Sequence, residues 1–434
     1  MLAFILFSTV LTFVLPSGSY DRIKNPETGR VTVVENSYQQ IDAPGVSFFE
    51  TILAIPEGII LRADVIALIL LIGGCFYVIE KTGALKEGIE YIARVFKNHG
   101  EIALILVSLM FLTGGALSGL QEEIIAMTVV LIYLASRLGY NAYVALAISY
   151  GSAVIGSAFS PINPFAIGVA MQETDLEYLS GSGFRLIVMG IAFIVWMIIV
   201  IRYANRNRIA IPDEDSNTKA TMSINTIVIF ALLILSFALL IYGILKLDWG
   251  FNEMTAEFFI LGILAGLIGK LGIGGTSEAY IEGFKEMTFA AMIIGFASSI
   301  SIILEKGMII DTIIYGLFTP MQYLPKSLSA ISMMISQAIL HFPVPSYSGQ
   351  AVLTMPILAP LSDLIGISRQ VCVLAYQYGA VMMDILIPTN GGLMAVLAIA
   401  GIPFNKWFKF AFSKILIIMG VGAIAIVIAI YIGF

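Results

Sequence analysis

The chain is a succession of apolar stretches with little charge inside them, and that succession limits what it can fold into. The first runs from Met1 to Leu15. Others follow at about 58–79, 102–117, 122–136, 142–160, 184–204, 223–245, 256–270, 289–304, 327–342, 349–361, 370–388 and 410–432. A helix needs about 20 apolar residues to cross the hydrocarbon of a bilayer. Charged residues make up only 12% of the chain, against about 25% in a soluble domain, so they cannot cover a water-facing surface. With 59% hydrophobic residues, and 23 Lys+Arg against 29 Asp+Glu, a soluble enzyme, a disordered chain and a nucleic-acid binder are all excluded. The expectation is an all-α polytopic membrane protein of the cell inner membrane, in contact with lipid and not with nucleic acid.

Met1 to Leu15 reads as a first transmembrane helix with its start missing, because no basic region precedes it as in a signal peptide. With the N-terminus inside, most Lys and Arg fall on the cytoplasmic side, Arg202, Arg206 and Arg208 most clearly. Residues 19–57 then form an external polar loop, in which Asp21, Glu27, Glu35, Asp42 and Glu50 offset the cations. Arg137, Asp363 and Arg369 read as anchors at the membrane surface, and Glu80/Lys81 and Glu305/Lys306 as end-of-helix charges.

Several apolar stretches are too short to span, and these come in adjacent pairs joined by Gly, Pro and Ser. Ile79-Glu80-Lys81-Thr82-Gly83 is echoed by Leu304-Glu305-Lys306-Gly307. Each is followed by a partly polar stretch, 84–98 or 308–324, suited to a helix lying on the membrane surface. A short arm, a turn and a second arm come next. The turns are Thr113 to Gly119 and Phe342 to Gly349. Three matches at one constant offset complete the pattern: Gly139 with Gly366, Pro161 with Pro388, and Asn163 with Asn390. The spacing predicts an inverted repeat. Its first unit is 1–204, its second 256–434, and 205–255 is a cytoplasmic linker plus a connecting helix. Re-entrant hairpins are expected at about 102–137 and 327–364, and broken transmembrane helices at about 142–172 and 370–400. This is a secondary-transporter architecture with its site near the membrane midplane.

The breaks carry the chemistry. Ser160-Pro161-Ile162-Asn163-Pro164 lies inside an apolar run, and proline removes a backbone N–H and clashes with the preceding turn. Backbone freed in this way survives in a membrane only where protein buries it or a wet cavity takes it up. Freed carbonyls and the side chains of Ser160, Asn163, Thr389 and Asn390 are candidates for a coupling cation, Na⁺ or H⁺, together with Asp384. The hairpin turns offer helix N-termini suited to a carboxylate. Substrate candidates there are Ser118, Gly119, Ser346, Tyr347, Ser348, Gly349 and Gln350, with Asn163, Asn390, Glu122, Glu123 and Asp384. Intramembrane acids are costly and need a cation, a proton or water. No Lys or Arg is expected at the site.

Cys75 and Cys372 read as small hydrophobes, and His99 and His341 have no ligand spacing around them, so no metal or cofactor beyond the coupling ion is expected. No Ser-His-Asp grouping suggests an enzyme. The reading is a secondary transporter for a small amino acid-like solute, cationic or zwitterionic. The alternative is a carrier of dicarboxylates or other organic anions coupled to Na⁺ or H⁺.

Ser348-Gly-Gln-Ala-Val-Leu-Thr-Met-Pro-Ile-Leu-Ala-Pro-Leu-Ser-Asp-Leu-Ile-Gly-Ile-Ser-Arg-Gln370 resembles the most distinctive stretch of the YfcC-type permeases. These are grouped with the C4-dicarboxylate anaerobic carriers in the ion transporter superfamily. Gln121-Glu-Glu123, Ile162-Asn-Pro-Phe165 and Gly181-Ser-Gly-Phe-Arg185 resemble further family blocks, and the resemblance runs from Pro16-Ser-Gly18 to the last span. It implies a homodimer with a scaffold and a transport domain, an elevator-like shift, and uptake or exchange of basic amino acids such as arginine and ornithine, or of dicarboxylates. The chain departs from the family pattern at Leu120-Gln121, at Tyr347, at Gly379 to Asp384 and at Thr389-Asn390.

Overall fold

A computed structural model describes residues 2–434, leaving out 25–30, 35–36, 86, 89–90, 92–99, 120, 178, 210–221, 248 and 250. The expected surface helix at 84–98 falls largely on those positions, and His99 with it, so both lie outside the described residues. About 80% of the chain is helical.

Helix α1 (Leu2–Val14) is followed by two small antiparallel ladders. β1 (Gly18–Ser19) pairs with β4 (Gln39–Gln40), and β2 (Arg22–Lys24) with β3 (Val31–Val33). The expected external loop of 19–57 is therefore shorter than the sequence suggests. It ends at Ser47, whose hydroxyl accepts from the Glu50 N–H while the Glu50 carboxylate accepts from the Ser47 N–H. That reciprocal cap starts α2 (Phe48–Leu61) ten residues before the apolar run. α3 (Ala63–Lys81) comes next, at a bend of 55°.

The first pair of arms is α4 (Gly100–Ser118) and α5 (Glu122–Arg137). The turn expected over Thr113 to Gly119 is displaced. α4 runs straight through Gly114 and Gly115 and ends only at Gly119, whose φ of 72° is the left-handed C-terminal stop. Gly115 serves packing. A Cβ at Gly115 would fall on the Ala153 carbonyl, and one at Gly156 on the Leu112 carbonyl, so bare backbone lets two helices touch.

The first broken helix comprises α6 (Ala142–Leu146), a π-helical turn (147–151) and α7 (Ser152–Phe159). An irregular step over 160–163, a second π turn (164–168) and α8 (Val169–Glu173) complete it. The window 142–159 is 89% buried, whereas the long helices α9 (Ser182–Arg206) and α18 (Phe404–Ile432) are 33% buried. The broken helix is thus a core element, and the unbroken ones present apolar faces outward. Between them in sequence lie α10 (Ile224–Lys246), α11 (Phe251–Ile268) and α12 (Gly272–Lys306). At 35 residues α12 is about 52 Å long, more than the roughly 30 Å of hydrocarbon, so the apolar run 289–304 is only its second half.

After α13 (Ile310–Phe318) come the second arms, α14 (Lys326–Leu340) and α15 (Tyr347–Ile365). α16 (Arg369–Ala380) continues as a 3₁₀ turn (381–385), breaks before Asn390, and resumes as α17 (Gly391–Ile399). The positions matched in sequence share local roles. Gly139 and Gly366 have φ of 80° and 74°, and Asn163 and Asn390 each cap N–H groups just beyond a break.

Among the described residues, four helices are long and apolar enough to cross a bilayer, or five if α2 and α3 form one bent span. The largest buried cluster draws on α4–α9 and α13–α18, that is, on both halves of the chain. α3, α10, α11 and the start of α12 enclose a second cluster, and α1, α2 and the end of α12 a third.

The α4–α7 crossing makes a direct prediction. Gly156→Ala forces a methyl against a carbonyl and should cost about 1–3 kcal/mol. Gly190→Ala, on an open face of α9, should be neutral or stabilising by about 0.5–1 kcal/mol. Thermal unfolding in detergent compares the two, and equal midpoints would contradict the packing role.

Candidate functional site

A cavity of about 920 Å³ lies where the two pairs of arms and the second break converge. Gly119 and Gln121 from the first turn line it, with Pro343 to Ser348 from the second and Asp384 and Thr389 to Gly392 from the break. Its outer wall holds Ser19, Arg22, Arg62, Glu305 and Asp311.

Two helix N-termini reach this cavity. At α15, Ser346 accepts from the Gly349 N–H, and Tyr347 and Ser348 line the wall. At α17, Asn390 accepts from the Leu393 N–H, and Gly391 and Gly392 line the wall. Both bring first-turn N–H groups and partial positive charge toward the same space. Beside them Thr389 is 3% exposed, and its buried hydroxyl has no hydrogen-bond partner among the described residues.

Asp384 is the centre of the polar network. It is 2% exposed, and its two oxygens meet four polar side chains. His341 Nε2 at 2.9 Å and Asn390 Nδ2 at 2.6 Å meet Oδ1. Gln121 Nε2 at 2.9 Å and the Tyr347 hydroxyl meet Oδ2. Gln121 also contacts the Tyr347 hydroxyl, and the Tyr150 hydroxyl lies 3.1 Å from Gln121 Oε1 and 2.9 Å from Asn390 Oδ1. Tyr376 donates to the Tyr347 carbonyl at 2.6 Å. Gln121, Tyr347, Asp384 and Asn390 therefore form one connected network.

The first break is organised differently. Ser160 donates to the Ala116 carbonyl at 2.6 Å and accepts from the Asn163 N–H at 2.8 Å. Asn163 donates to the Gly115 carbonyl and accepts from the N–H groups of Phe165 and Ala166. Gln377 of α16 reaches across to the freed Ser160 and Ser157 carbonyls, at 2.8 and 3.3 Å. The oxygens considered for a cation are thus already engaged by protein donors. At Asp384 the amide N–H groups of Gln121 and Asn390 and the Tyr347 hydroxyl suit a carboxylate.

The other residues expected at the site are divided between its wall and its surroundings. Gly119, Ser346, Tyr347, Ser348, Asp384, Thr389 and Asn390 are on the cavity wall. Gln350 is fully buried behind it, with its amide spent on His341 and Gln337. Ser118 ends α4, and Glu122 and Glu123 open α5; their side chains lie outside what the structure describes. Arg369 pairs with Asp363 at 2.9 Å and with Asp175 at 3.1 Å, away from the cavity.

Two findings correct the sequence reading. Arg22 and Arg62 do line the cavity, although neither is near a hairpin or a break in sequence. The external segment folds back over it: Arg22 binds the Asp311 carboxylate at 2.8 Å, and the Gly18 N–H donates to the Met308 carbonyl. The second concerns His341, which has no ligand spacing in the sequence and yet touches Asp384. Its place one residue before the Phe342-Pro343 turn is the only local signal of its role.

Residues 1–431 match the family model for the C4-dicarboxylate anaerobic carriers. An uncharacterized protein of Haemophilus influenzae is 29% identical, over 99% of this chain and 95% of its own length. The putative basic amino acid antiporter YfcC of Escherichia coli is 31% identical, over 80% of this chain and 73% of its own. Among solved structures, the YdaH transporter of Alcanivorax borkumensis aligns over all of this chain and 98% of its own, with a TM-score of 0.45 and 16% identity.

Asn390→Ala removes both the cap of α17 and one donor to Asp384. Stability should fall by about 1–2 kcal/mol, measured by thermal unfolding in detergent. Asn390→Ser keeps a capping oxygen and should recover part of the loss. A variant as stable as the wild type would show that the break does not depend on this side chain.

Proposed function

We propose a function from the premise that this chain belongs to the C4-dicarboxylate anaerobic carrier family, and is therefore a multi-pass secondary transporter. The cavity is the solute site, and the solute is a small amino acid bearing a carboxylate, zwitterionic or cationic. The convergence of two helix N-termini and the unpartnered Thr389 hydroxyl on one cavity carries this reading. The carboxylate of the solute meets the N–H groups of α15 and α17 and that hydroxyl. Glu305, also on the wall, is available to its amino or guanidinium end. The name of the Escherichia coli relative points to the same class of solute.

A dicarboxylate is the second reading, and Arg22 and Arg62 on the outer wall favour it. Arg22 is already paired with Asp311, which lessens its pull on a second anion.

The separate buried clusters support an elevator-type movement. Both pairs of arms, both breaks, α9 and α18 share one core, to which α3 and α12 add Ile69, Met287 and Ala291, and α1–α3 and α10–α12 enclose the others. In this reading the first body carries the solute and the second, as a homodimer, stays fixed. Nothing in the reading calls for catalysis.

Proteoliposome uptake of labelled arginine and ornithine, with succinate as competitor, tests the solute. Saturable uptake of the amino acids that succinate does not inhibit is expected. Inhibition by succinate would select the dicarboxylate reading. Thr389→Val should raise KM roughly fivefold, the equivalent of one hydrogen bond of about 1 kcal/mol, with little change in the maximal rate. An unchanged KM would remove Thr389 from the site.

A further inference from the structure

The hydrogen-bond roles around His341 can be worked out from the backbone inward. Gln350 Nε2 lies 2.8 Å from the Gln337 backbone carbonyl, which can only accept, so this nitrogen donates. Gln350 Oε1 is therefore the atom 2.6 Å from His341 Nδ1, and Nδ1 must carry a hydrogen. On the other side of the network, Asn390 Oδ1 accepts from the Leu393 N–H, so Asn390 Nδ2 is the donor to Asp384 Oδ1. Both amides are thus fixed in orientation, and neither can turn to relieve the remaining contact.

That contact is His341 Nε2 to Asp384 Oδ1 at 2.9 Å. With Nδ1 protonated, a neutral imidazole and an ionised carboxylate would set two lone pairs against each other. The geometry is satisfied only with one more proton on the pair. It sits on Nε2, giving an imidazolium beside a carboxylate, or on Oδ1, giving a neutral acid that donates to Nε2. Both residues are almost wholly buried, where an unrelieved contact of this kind is costly. Asp384 borders the cavity and His341 lies behind it, so the proton has a route to water through Asp384.

The two residues belong to different parts of the fold. His341 ends the first arm of the second pair, and Asp384 precedes the second break. Loss of the proton turns an attraction between that arm and the break into a repulsion. The titratable groups in contact with the pair are Tyr347, stacked on the His341 ring at 5.7 Å, Tyr376 on α16, and Tyr150 through Asn390. Glu122 and Glu123 come directly after Gln121 in the chain, and Arg22, Arg62, Glu305 and Asp311 line the far wall of the cavity.

We propose that the His341–Asp384 pair is a proton-binding site, and that its proton holds the second pair of arms against the second break and couples solute movement to proton movement. One proton is taken up from the cavity water onto Nε2 or Oδ1 and returned to water on the other side. No other bond changes and no metal ion is required. The coupling part rests on the reading of the cavity as a transport site. The proton site itself does not.

Because the chain has only two histidines, ¹⁵N-histidine labelling of the full-length protein in bilayers resolves His341, with His341→Gln as the assignment. The expected spectrum has Nδ1 protonated throughout and a pH-dependent gain and loss of one proton at Nε2 that Asp384→Asn alters. A His341 signal with Nδ1 unprotonated, or one that never changes with pH while the protein stays folded, overturns the proton site. In proteoliposomes carrying a pH dye, solute should drive a proton flux in the wild type, and the ratio of proton to solute flux should fall to zero in His341→Gln. An unchanged ratio in that variant overturns the coupling. A wild type that moves neither amino acid nor succinate defeats the transport reading, and with it the coupling, while the labelled histidine still decides the proton site.

Discussion

The structure depends on one constraint: backbone that leaves a helix inside an apolar body must still find partners for its N–H and C=O groups. Pro161 and Pro388 impose such departures in the middle of apolar runs. Side chains repair them. Ser160 and Asn163 cap the backbone beyond the first break, and Gln377 reaches over from the partner helix to two freed carbonyls. Asn390 does the equivalent at the second break. The polar residues of the apolar core are there first to make the breaks possible.

The difference between the breaks decides where the chemistry lies. At the first, Ser160, Asn163 and the amide nitrogen of Gln377 are engaged with the backbone, and the segment is buried. At the second, Thr389 is left without a partner and the α17 N-terminus opens into the cavity. Asp384 beside it is a carboxyl group in a place where charge is expensive, and Gln121, His341, Tyr347 and Asn390 surround it. A group that needs so many partners binds those parts together, and a change in its protonation is felt by all of them.

The separation of the buried residues into clusters has a related cause. α3, α10 and α11 bury aliphatic and aromatic side chains against each other. The core that contains the breaks holds the polar network. A body organised around its own hydrogen bonds can keep its internal geometry while its apolar surface slides on another, because apolar contact is not directional.

Proline and glycine act on their own backbone, so the helix breaks and the arms that meet at turns were legible from the sequence. The membrane class was legible from composition, since an apolar surface this large has no stable form in water. Local signals misled where a residue served packing: Gly114 and Gly115 look like a turn but lie inside α4, and Gly115 marks a helix crossing. They were also incomplete where oxygens were concerned. Sequence shows that Ser160 and Asn163 have acceptors but not that backbone N–H groups occupy them. Only the tertiary structure brought His341, Gln121 and Tyr347 to Asp384, and Arg22 and Arg62 to the cavity. Those encounters join residues far apart in the chain, and which donor meets which acceptor is fixed by how the helices pack.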